Sequence, residues 1–474
     1  MNKYYVSTPI YYVNDVPHIG HAYTTLAADV LARYNKQLGK DVFFLTGTDE
    51  HGAKVAQAAK DAGKEPKEYA DSVVSGFQDA WKLLNIDFDH FIRTTDPRHE
   101  KIASEVLQKI FDNGYIYEGE YEGLYCEGCE KFLTEADLVD GKCPLHPNKE
   151  PVQQKEKNYF FKLSEFQSWL IEIFEKDEVK ILPESRKNEV LGKLKLGLQD
   201  ISVSRAEVSW GIPVPWDNSQ TIYVWVEALL NYHTATKFLE GKEKFWPADL
   251  HLVGKDILWF HTIIWCALLK AAGIELPKQV FAHGFFTVNG QKMSKSLGNV
   301  ISPKELVDRY GVDGARYLLL SAFPFGDDGD FSFEKLDTKF NAELANNLGN
   351  LVSRVAKLCE TGNVDIGPQQ PNSQHHLPFT EKHIQNLEFD SVLQLATGYV
   401  DQVNKQIDET KPWENIESKH HVLIELVDTL RQIAYEIRPF VPETAEKIQN
   451  QFKGPKIKSG EPLFPRLQRF ARSQ

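Results

Sequence analysis

The turn at residues 17–21, with the sequence PHIGH, restricts what this chain can fold into more than any other stretch. It follows the apolar and aromatic run of residues 4–12 and opens a long amphipathic segment. This order predicts a strand, a turn and a helix, with His18 and His21 at or near the helix N-terminus. Free N–H groups at such an end suit an anion, imidazoles add donors for phosphate oxygens, and Gly20 lets a bulky ligand approach the backbone. The alternative is a pair of surface histidines beside a turn, which the motif alone does not exclude.

Composition indicates a globular protein and limits its partners. The 474 residues are 42% hydrophobic and 26% charged, and the length predicts about two to four domains. We find no apolar run long enough for a membrane span and no secretory or transit pattern at the N-terminus, so we expect a cytoplasmic protein. The net charge of -13 argues against broad, non-specific binding of nucleic acid. Residues 453–474 are basic and are either a local nucleic-acid face or a solvated tail.

Alternating strand-like and helix-like segments over residues 3–117 predict an α/β fold with an open parallel sheet. A polar loop at residues 46–52, with the sequence TGTDEHG, ends the second strand. Ligands of such sheets bind outside the carboxyl ends of the strands, where the histidine turn and this loop both belong. The helices that we expect after it are residues 54–62, 66–84 and 97–113.

The α/β pattern is then interrupted, and it resumes later. Residues 118–220 contain a cysteine cluster and short strand-like runs, which we interpret as an insertion between two halves of one sheet. The pattern resumes with a strand at residues 221–226, and a tight turn at Asn289-Gly290 opens a polar loop. From residue 336, apolar residues recur at helical spacing and predict a helix bundle. The predicted divisions are residues 1–117, 118–220, 221–335 and 336–474.

The loop at residues 292–296, with the sequence KMSKS, is a second cationic motif. Lys292 and Lys295 lie beside serines and near a glycine, so this loop can fold over a polyphosphate and neutralise charge as it develops. The alternative is an ordinary basic surface loop. The phosphate interpretation gains its weight from the histidine turn elsewhere in the same interrupted α/β pattern.

Three of the five cysteines fall within 18 residues, which favours a metal over disulfides in a chain without a secretory signal. Two ligand pairs, each with two residues between its members, are separated by 13 residues. Four such ligands suit tetrahedral, structural zinc without an open position, and the alternative is a set of unligated thiols. Cys266 and Cys359 lie in apolar helical patterns and are predicted to be core thiols. The predicted zinc ligands are Cys126, Cys129, Cys143 and His146.

The two cationic motifs, in this order, resemble letter for letter the HIGH and KMSKS elements of class I aminoacyl-tRNA synthetases. Further segments resemble the methionyl-tRNA synthetase family, and the resemblance covers essentially the whole chain. Leu229 stands where one branch of that family has proline, which bears on the branch and not on the activity. The further segments are residues 8–12 (TPIYY), 47–52 (GTDEHG), 225–232 (WVEALLNY), 254–257 (GKDI) with Phe260 and His261, 347–354 (NLGNLVSR) and 411–413 (KPW).

The resemblance implies a role for each matching position. Asp49 is expected to hold the substrate ammonium, while Tyr12 and His261 mark the sulfur of a polarizable thioether between aromatic walls. Taken singly, Trp225 or His261 would be interpreted as core residues. The implied ATP-binding residues are His18, Gly20, His21, Gly254, Asp256, Lys292 and Lys295, of which His18, His21, Lys292 and Lys295 are the expected catalytic residues. The implied methionine pocket consists of Ile10, Tyr12, Asp49, Trp225, Ala228, Leu229, Tyr232, Ile257 and His261.

The resemblance extends to the insertion and to the helical segment. The family carries one or two zinc knuckles in its connective insertion, and this chain has ligands for one. Asn350, Arg354 and Trp413 are marked as anticodon contacts, since Asn and Arg can read base edges and Trp can stack on an unpaired base. Singly, each would be a helix-surface or core residue. The predicted fold is therefore a Rossmann-like, doubly wound parallel α/β sheet, split by a zinc-bearing connective insertion and followed by a C-terminal α-helix bundle.

The resemblance to this family implies the activity of a methionine–tRNA ligase. Methionine is activated with ATP to methionyl-adenylate, pyrophosphate is released, and methionine passes to the 3′-terminal adenosine of initiator and elongator tRNA(Met). We expect Mg²⁺ with ATP, one structural Zn²⁺, no membrane partner, and a monomer, because no appended dimerising domain follows residues 462–466. The rival interpretations are another class I synthetase, a small-molecule nucleotidyltransferase, and a non-catalytic, zinc-bearing tRNA-binding protein.

Overall fold

The computed structural model describes residues 2–14, 16–126, 131–133, 138–144, 148, 150–293, 298–367 and 378–467. Its strands are β1 Lys3–Tyr12, β2 Asp41–Asp49, β3 His90–Arg93, β4 Ile116–Cys126, β5 Lys131–Leu133, β6 Val152–Phe161, β7 Lys180–Leu182, β8 Ile201–Ser202, β9 Ser204–Arg205, β10 Pro213–Val214, β11 Asp217–Ile222, β12 Leu250–Gly254, β13 Gln279–His283, β14 Phe286–Val288, β15 Gln291–Lys292 and β16 Gly329–Phe331.

The α-helices are α1 Ile19–Gln37, α2 Ala53–Asp61, α3 Pro66–Leu83, α4 Pro97–Asp112, α5 Gln167–Glu175, α6 Glu184–Lys195, α7 Val224–Leu229, α8 Asn231–Phe238, α9 Trp265–Ala272, α10 Pro303–Ser321, α11 Phe333–Lys339, α12 Asn350–Thr361, α13 Pro378–Gln385, α14 Phe389–Thr410, α15 His420–Ile437 and α16 Pro442–Gln451. Two π-helical segments, Phe260–Ile264 and Phe340–Gly349, lead into α9 and α12. Among the helices so described, none is long and apolar enough to cross a membrane.

The chain folds into two compact units. The first unit comprises Met1–Val16, Asp41–Phe77 and Phe88–Ala282, and the second comprises Pro17–Lys40, Gln78–Asp87 and His283–Gln474.

The first unit is built on a six-stranded sheet with the order β3-β2-β1-β12-β13-β7. Strand β1 pairs in parallel with β2 and β12, β2 pairs with β3, and β13 pairs with β7. Strand β2 is buried from Val42 to Asp49, as expected for a parallel strand covered on both faces. Strand β7 lies within residues 118–220, the predicted insertion, and yet it forms an edge of this sheet.

A glycine allows strands β2 and β3 to pair closely. A Cβ atom at Gly47 would lie 2.0 Å from the carbonyl oxygen of Ile92, which no side chain can accommodate. Because Gly47 has no side chain, the carboxyl end of β2 can pair closely with β3, and this pairing positions the loop that follows β2.

The predicted strand at residues 221–226 is wrong beyond Ile222. Strand β11 ends at Ile222 and pairs antiparallel with β9 and β10, and helix α7 begins at Val224. The run of Val, Trp and Val has a local preference for strands, but tertiary packing decides between strand and helix. As a helix, this segment buries Val224, Val226 and Glu227.

The second unit contains the predicted tight turn and a helical C-terminal region. Asn289 and Gly290 have φ values of 51 and 75, and they connect the antiparallel pair β14 and β15, so the turn prediction is confirmed. The predicted helix at residues 420–437 has these same bounds in the structure, and α15 packs against α12, α14 and α16.

A fully buried arginine connects the segments of the second unit. The guanidinium of Arg316 on α10 donates to Asp29 Oδ2 on α1 at 2.6 Å, to the carbonyl oxygen of Leu84 at 3.0 Å and to that of Phe440 at 2.8 Å. Both charged side chains are 0% exposed. This one side chain therefore joins parts of the chain that are far apart in sequence.

We predict that Arg316→Met lowers the free energy of unfolding by about 3 kcal/mol, the lower end of the range for breaking a buried ion pair. The carboxylate of Asp29 then loses its fully buried partner and keeps Arg33, whose side chain is 21% exposed. Denaturant titration of wild type and variant measures the change. The double variant Arg316→Met with Asp29→Asn should regain part of the loss. A double variant as unstable as the single one would show that the carbonyl contacts, and not the charge pair, carry the effect.

Candidate functional site

The histidine turn lies at the start of α1 in the second unit, as the sequence predicts. His18 is the N-cap residue, and its Nδ1 accepts a hydrogen bond from the backbone N–H of Gly20 at 3.1 Å. His21 Nδ1 accepts from the N–H of His18 at 3.3 Å. Because both Nδ1 atoms accept, each neutral ring carries its hydrogen on Nε2. The helix cap thus turns both imidazoles into Nε2–H donors.

The two rings form a stack with a defined protonation. Their centroids are 3.8 Å apart at an interplanar angle of 24°. Burial, and then the neighbouring His18, hold the pKa of His21 well below its usual value. His21 is therefore neutral at pH 7, so its ring is a hydrogen-bond donor and not a cation.

The structure places Met293 next to the histidine turn within the second unit. A Cβ atom at Gly20 would lie 2.9 Å from His18 Cε1 and 3.8 Å from Met293 Cε, so glycine is needed where the His18 ring folds back. The N–H of Ile19 donates to the carbonyl oxygen of Ile301 at 3.0 Å, beyond the other end of the loop. The backbone of Lys292 lies in β15, whereas its side chain and the whole of Lys295 lie outside the described residues.

The predicted methionine pocket lies in the first unit, and its polar end is one hydrogen-bonded chain. His261 Nδ1 donates to the carbonyl oxygen of Ile257 at 2.9 Å, so its Nε2 accepts from the hydroxyl of Tyr232 at 2.7 Å. Burial lowers the pKa of His261 to about 4, which keeps the ring neutral. His261 lies in the π-helical segment Phe260–Ile264, an irregularity that is frequent at functional sites.

Aromatic rings form the walls of the same region. Tyr12 meets the ring of Trp225 edge-on at 6.1 Å, and Trp225 stacks on Phe260 at 4.0 Å. Phe260 was absent from the predicted pocket, although its position next to His261 in the sequence is a signal for it. Ala228, Leu229 and Tyr232 are buried, while Ile10, Tyr12, Trp225 and Ile257 are partly buried.

The polar residues predicted near the sheet lie at strand ends. Asp49 is the last residue of β2, is buried, and pairs in register with Tyr12 of β1. Gly254 ends β12, and Asp256 follows it in an exposed turn. All these positions belong to the carboxyl ends of parallel strands, where open sheets bind ligands.

Two of the four predicted zinc ligands lie among the described residues. Cys126 and Cys143 are buried and pack in one small cluster with Leu133. The described residues contain no group of three or more potential metal ligands. The other two predicted ligands, Cys129 and His146, lie outside the described residues.

Cys266 and Cys359 are buried, as predicted for core thiols. Burial raises the pKa of Cys359 to about 11 and that of Cys266 further still, which makes both of them unreactive.

The predicted anticodon residues lie in the helical region of the second unit. Asn350 begins α12 and is exposed. The guanidinium of Arg354, one turn later, donates to Asn404 Oδ1 at 3.2 Å and to Asp408 Oδ1 at 2.7 Å, both on α14. Trp413 is 49% exposed, which is a large fraction for an indole. The structure therefore rules out a fully buried core position for Trp413.

The fold and the paired motifs define a class, and comparisons with known proteins identify it. Residues 4–150 and 146–356 match the family model "tRNA synthetases class I (M)". The methionine–tRNA ligase of Caldanaerobacter subterraneus subsp. tengcongensis is 46% identical and covers 98% of this chain and 79% of its own length. That of Nostoc sp. is 43% identical, with 94% and 89% covered.

A solved structure agrees in fold over the same length. The Mycobacterium tuberculosis methionyl-tRNA synthetase in complex with methionyl-adenylate has a TM-score of 0.91 and 36% sequence identity, covering 98% of this chain and 100% of that one. The chain therefore belongs to the methionyl-tRNA synthetase family. The predicted family is confirmed, as is an α/β parallel sheet with a helical C-terminal region.

We predict that Tyr232→Phe raises the KM for methionine about tenfold in pyrophosphate exchange and changes kcat less. The substitution removes the donor to His261 Nε2 and leaves a buried acceptor unsatisfied in the predicted methionine pocket. Tyr5→Phe is the matched control, because this hydroxyl is also buried and donates at 2.7 Å to the backbone of Tyr232. Equal kinetic effects of the two substitutions would contradict a direct role of the Tyr232–His261 pair.

Proposed function

We propose that this chain ligates methionine to tRNA in two steps, activating methionine with ATP and then charging initiator and elongator tRNA(Met). The observation that carries the proposal is the turn at residues 17–21, where two neutral histidines present Nε2–H groups at a helix N-terminus beside Met293 of the KMSKS loop. Such donors suit phosphate oxygens. The adenylate bound to the relative of 36% identity supports the same chemistry.

Activation is an attack of the methionine carboxylate on the α-phosphate of ATP. We assign the ATP phosphates to His18 and His21, the close approach of the nucleotide to Gly20, and the ribose to Gly254 and Asp256. Lys292 and Lys295 are assigned to the pyrophosphate leaving group. Because the protein supplies little covalent chemistry in this step, positioning and charge stabilisation lower its barrier. Mg²⁺, when bound with ATP, neutralises part of the phosphate charge.

Methionine recognition is assigned to the pocket of the first unit. Trp225 and Tyr12 offer aromatic surface to a thioether, and the Tyr232–His261 pair offers a neutral polar contact to its sulfur. A neutral His261 avoids a buried charge beside an apolar side chain. The carboxylate of Asp49 is assigned to the substrate ammonium. The remaining residues assigned to the pocket are Ile10, Ala228, Leu229 and Ile257.

Transfer passes methionine to a ribose hydroxyl of the terminal adenosine of tRNA, and the helical region recognises the anticodon. Asn350 and Arg354 are assigned to base edges and Trp413 to stacking on an unpaired base. The exposure of Asn350 and Trp413 is what supports these roles. The contacts of Arg354 with Asn404 and Asp408 fix its guanidinium for such readout.

One structural zinc is the proposed metal, in a connective insertion at residues 118–220. Cys126 and Cys143 lie in one buried cluster, which fits a thiolate-rich site, and Cys129 and His146 are the other assigned ligands. Zinc would hold together a segment with little apolar core of its own. Elemental analysis of the purified protein that finds no zinc would contradict this assignment.

The remaining proposals concern the domain boundaries, the oligomeric state and the cellular location of the protein. We retain residues 1–117 and 221–335 as halves of the catalytic domain and residues 336–474 as the anticodon-binding domain. We also retain a monomeric, cytoplasmic protein. Sedimentation that shows a stable dimer at micromolar concentration would contradict the monomer.

Amino-acid-dependent pyrophosphate exchange tests the proposed function. We expect methionine to give the highest kcat/KM among methionine, valine, leucine, isoleucine and cysteine, because the pocket is lined by aromatic rings and one neutral polar pair. Stronger exchange with another amino acid would assign the chain to a different specificity. Absence of exchange with all of them, in a folded protein, would overturn the proposal.

We predict that Trp413→Ala lowers tRNA charging about tenfold or more, the range for loss of one base–aromatic stack. Pyrophosphate exchange should remain near the wild-type rate, because the tRNA takes no part in activation. Leu196→Ala is the matched control, since Leu196 is also an exposed apolar side chain, at 87%. If exchange falls together with charging, Trp413 is structural and not an anticodon contact.

A further inference from the structure

A buried carboxylate lies on the helix that carries much of the methionine pocket. Glu227 is on α7, between Trp225 and Ala228, and is 0% exposed. Its Oε1 lies 2.9 Å from His51 Nδ1, and its Oε2 lies 3.0 Å from His99 Nε2. Each oxygen of the carboxylate therefore contacts a different histidine.

The two histidines come from other elements of the first unit. His51 follows β2 and is two residues beyond Asp49, while His99 lies on α4. His99 Nδ1 continues the chain to Thr234 Oγ1 on α8 at 2.8 Å. The carboxylate of Glu227 thus connects helix α7 to the loop that follows Asp49 and to helix α4.

The contact between Glu227 and His51 is a charged one. Burial alone would lower the pKa of His51, but the charge of Glu227, with hydrogen bonds to Glu100 and Glu227, outweighs it and raises the pKa to about 10. Burial would likewise raise the pKa of Glu227, yet the neighbouring His51 and His99 hold it below its usual value. At pH 7 an imidazolium therefore faces a carboxylate, and both side chains are buried, where such hydrogen bonds are strong.

The opposite side of the same loop is restrained as well. Glu50 accepts two hydrogen bonds from the guanidinium of Arg93, at 2.6 and 2.8 Å. Trp210 Nε1 donates to the carbonyl oxygen of Glu50 at 2.6 Å, and the N–H of Gly52 donates to the carbonyl oxygen of Trp210 at 2.9 Å. None of these contacts involves α7. Of the side-chain contacts described for this loop, the one between His51 and Glu227 is the contact that joins it to that helix.

We propose that Glu227 is a positioning residue for amino-acid recognition, which fixes the carboxylate of Asp49 relative to Trp225 and Ala228 through His51 and His99. The inference rests on the proposed function, because it takes Asp49 as the ammonium contact and α7 as a pocket wall. Glu227 touches no substrate in this arrangement. It fixes the distance between Asp49, which is assigned to the ammonium of methionine, and Trp225, which is assigned to its side chain.

Glu227→Gln tests this role, since glutamine preserves the size of the side chain and removes its charge. In methionine-dependent pyrophosphate exchange we expect the KM for methionine to rise about tenfold or more, the usual cost of a misplaced binding group. The KM for ATP should change by less than about threefold, because Glu227 restrains only the amino-acid side.

The matched control is Asp29→Asn, which removes another carboxylate that is 0% exposed and paired with a buried cation. Its melting temperature should fall, while its KM for methionine stays at the wild-type value. The inference would be overturned if Glu227→Gln, like this control, lowered the melting temperature and left the KM for methionine unchanged.

Two further variants test the same contacts if Glu227→Gln does not fold. His99→Gln breaks one of the two contacts and should raise the KM for methionine by a smaller factor. His51→Gln should raise it as well, and its effect should be non-additive with Glu227→Gln, because both act through one contact. If the effects of His51→Gln and Glu227→Gln are additive, or if the variants keep the KM of an active wild type, the inference is overturned and the proposed function is not. A wild type without methionine-dependent exchange overturns the proposed function too.

Discussion

The buried pair of Arg316 and Asp29 is the contact on which the second unit depends. A guanidinium in the interior must satisfy its donors, and Arg316 does so with one carboxylate and with backbone carbonyls of the segments at residues 84–85 and 439–440. Asp29 lies on α1, the helix that begins with the histidine turn. The same charge pair therefore connects the middle of α1, the helix to whose first turn we assign the ATP phosphates, with the helical region that we assign to the anticodon, within one compact unit.

Neutral histidines recur wherever the structure prepares a polar site. Burial lowers the pKa of His261 and of His283 to about 4, and both rings have their hydrogen position set by a backbone or hydroxyl partner. His51 is the exception, because the carboxylate of Glu227 outweighs its burial. His261 and His283 thus act through the direction of their hydrogen bonds, whereas His51 carries a buried charge in its contact with Glu227.

Sequence patterns were sufficient for the main elements of the fold and for the motif residues. Helix α15 and the Asn289-Gly290 turn agree with their predictions because periodicity and turn chemistry are local properties. The strand predicted at residues 221–226 failed beyond Ile222, since burial of Val224, Val226 and Glu227 selects a helix where local preference favours a strand. Strand β7 lies at the edge of the parallel sheet beside β13, a partner distant in sequence. Phe260 stacks on Trp225 from a π-helical segment, which no local pattern predicts.

By itself, the sequence determined the family, the α/β class and the residues of the two cationic motifs, because letter-for-letter motifs and hydrophobic periods are properties of the chain. Tertiary structure decided how those residues are used. Only the folded turn shows that His18 and His21 accept backbone hydrogen bonds at Nδ1 and so present Nε2–H. Only the packed first unit places Glu227 between His51 and His99, since these contacts join residues far apart in the chain and depend on burial that no local pattern records.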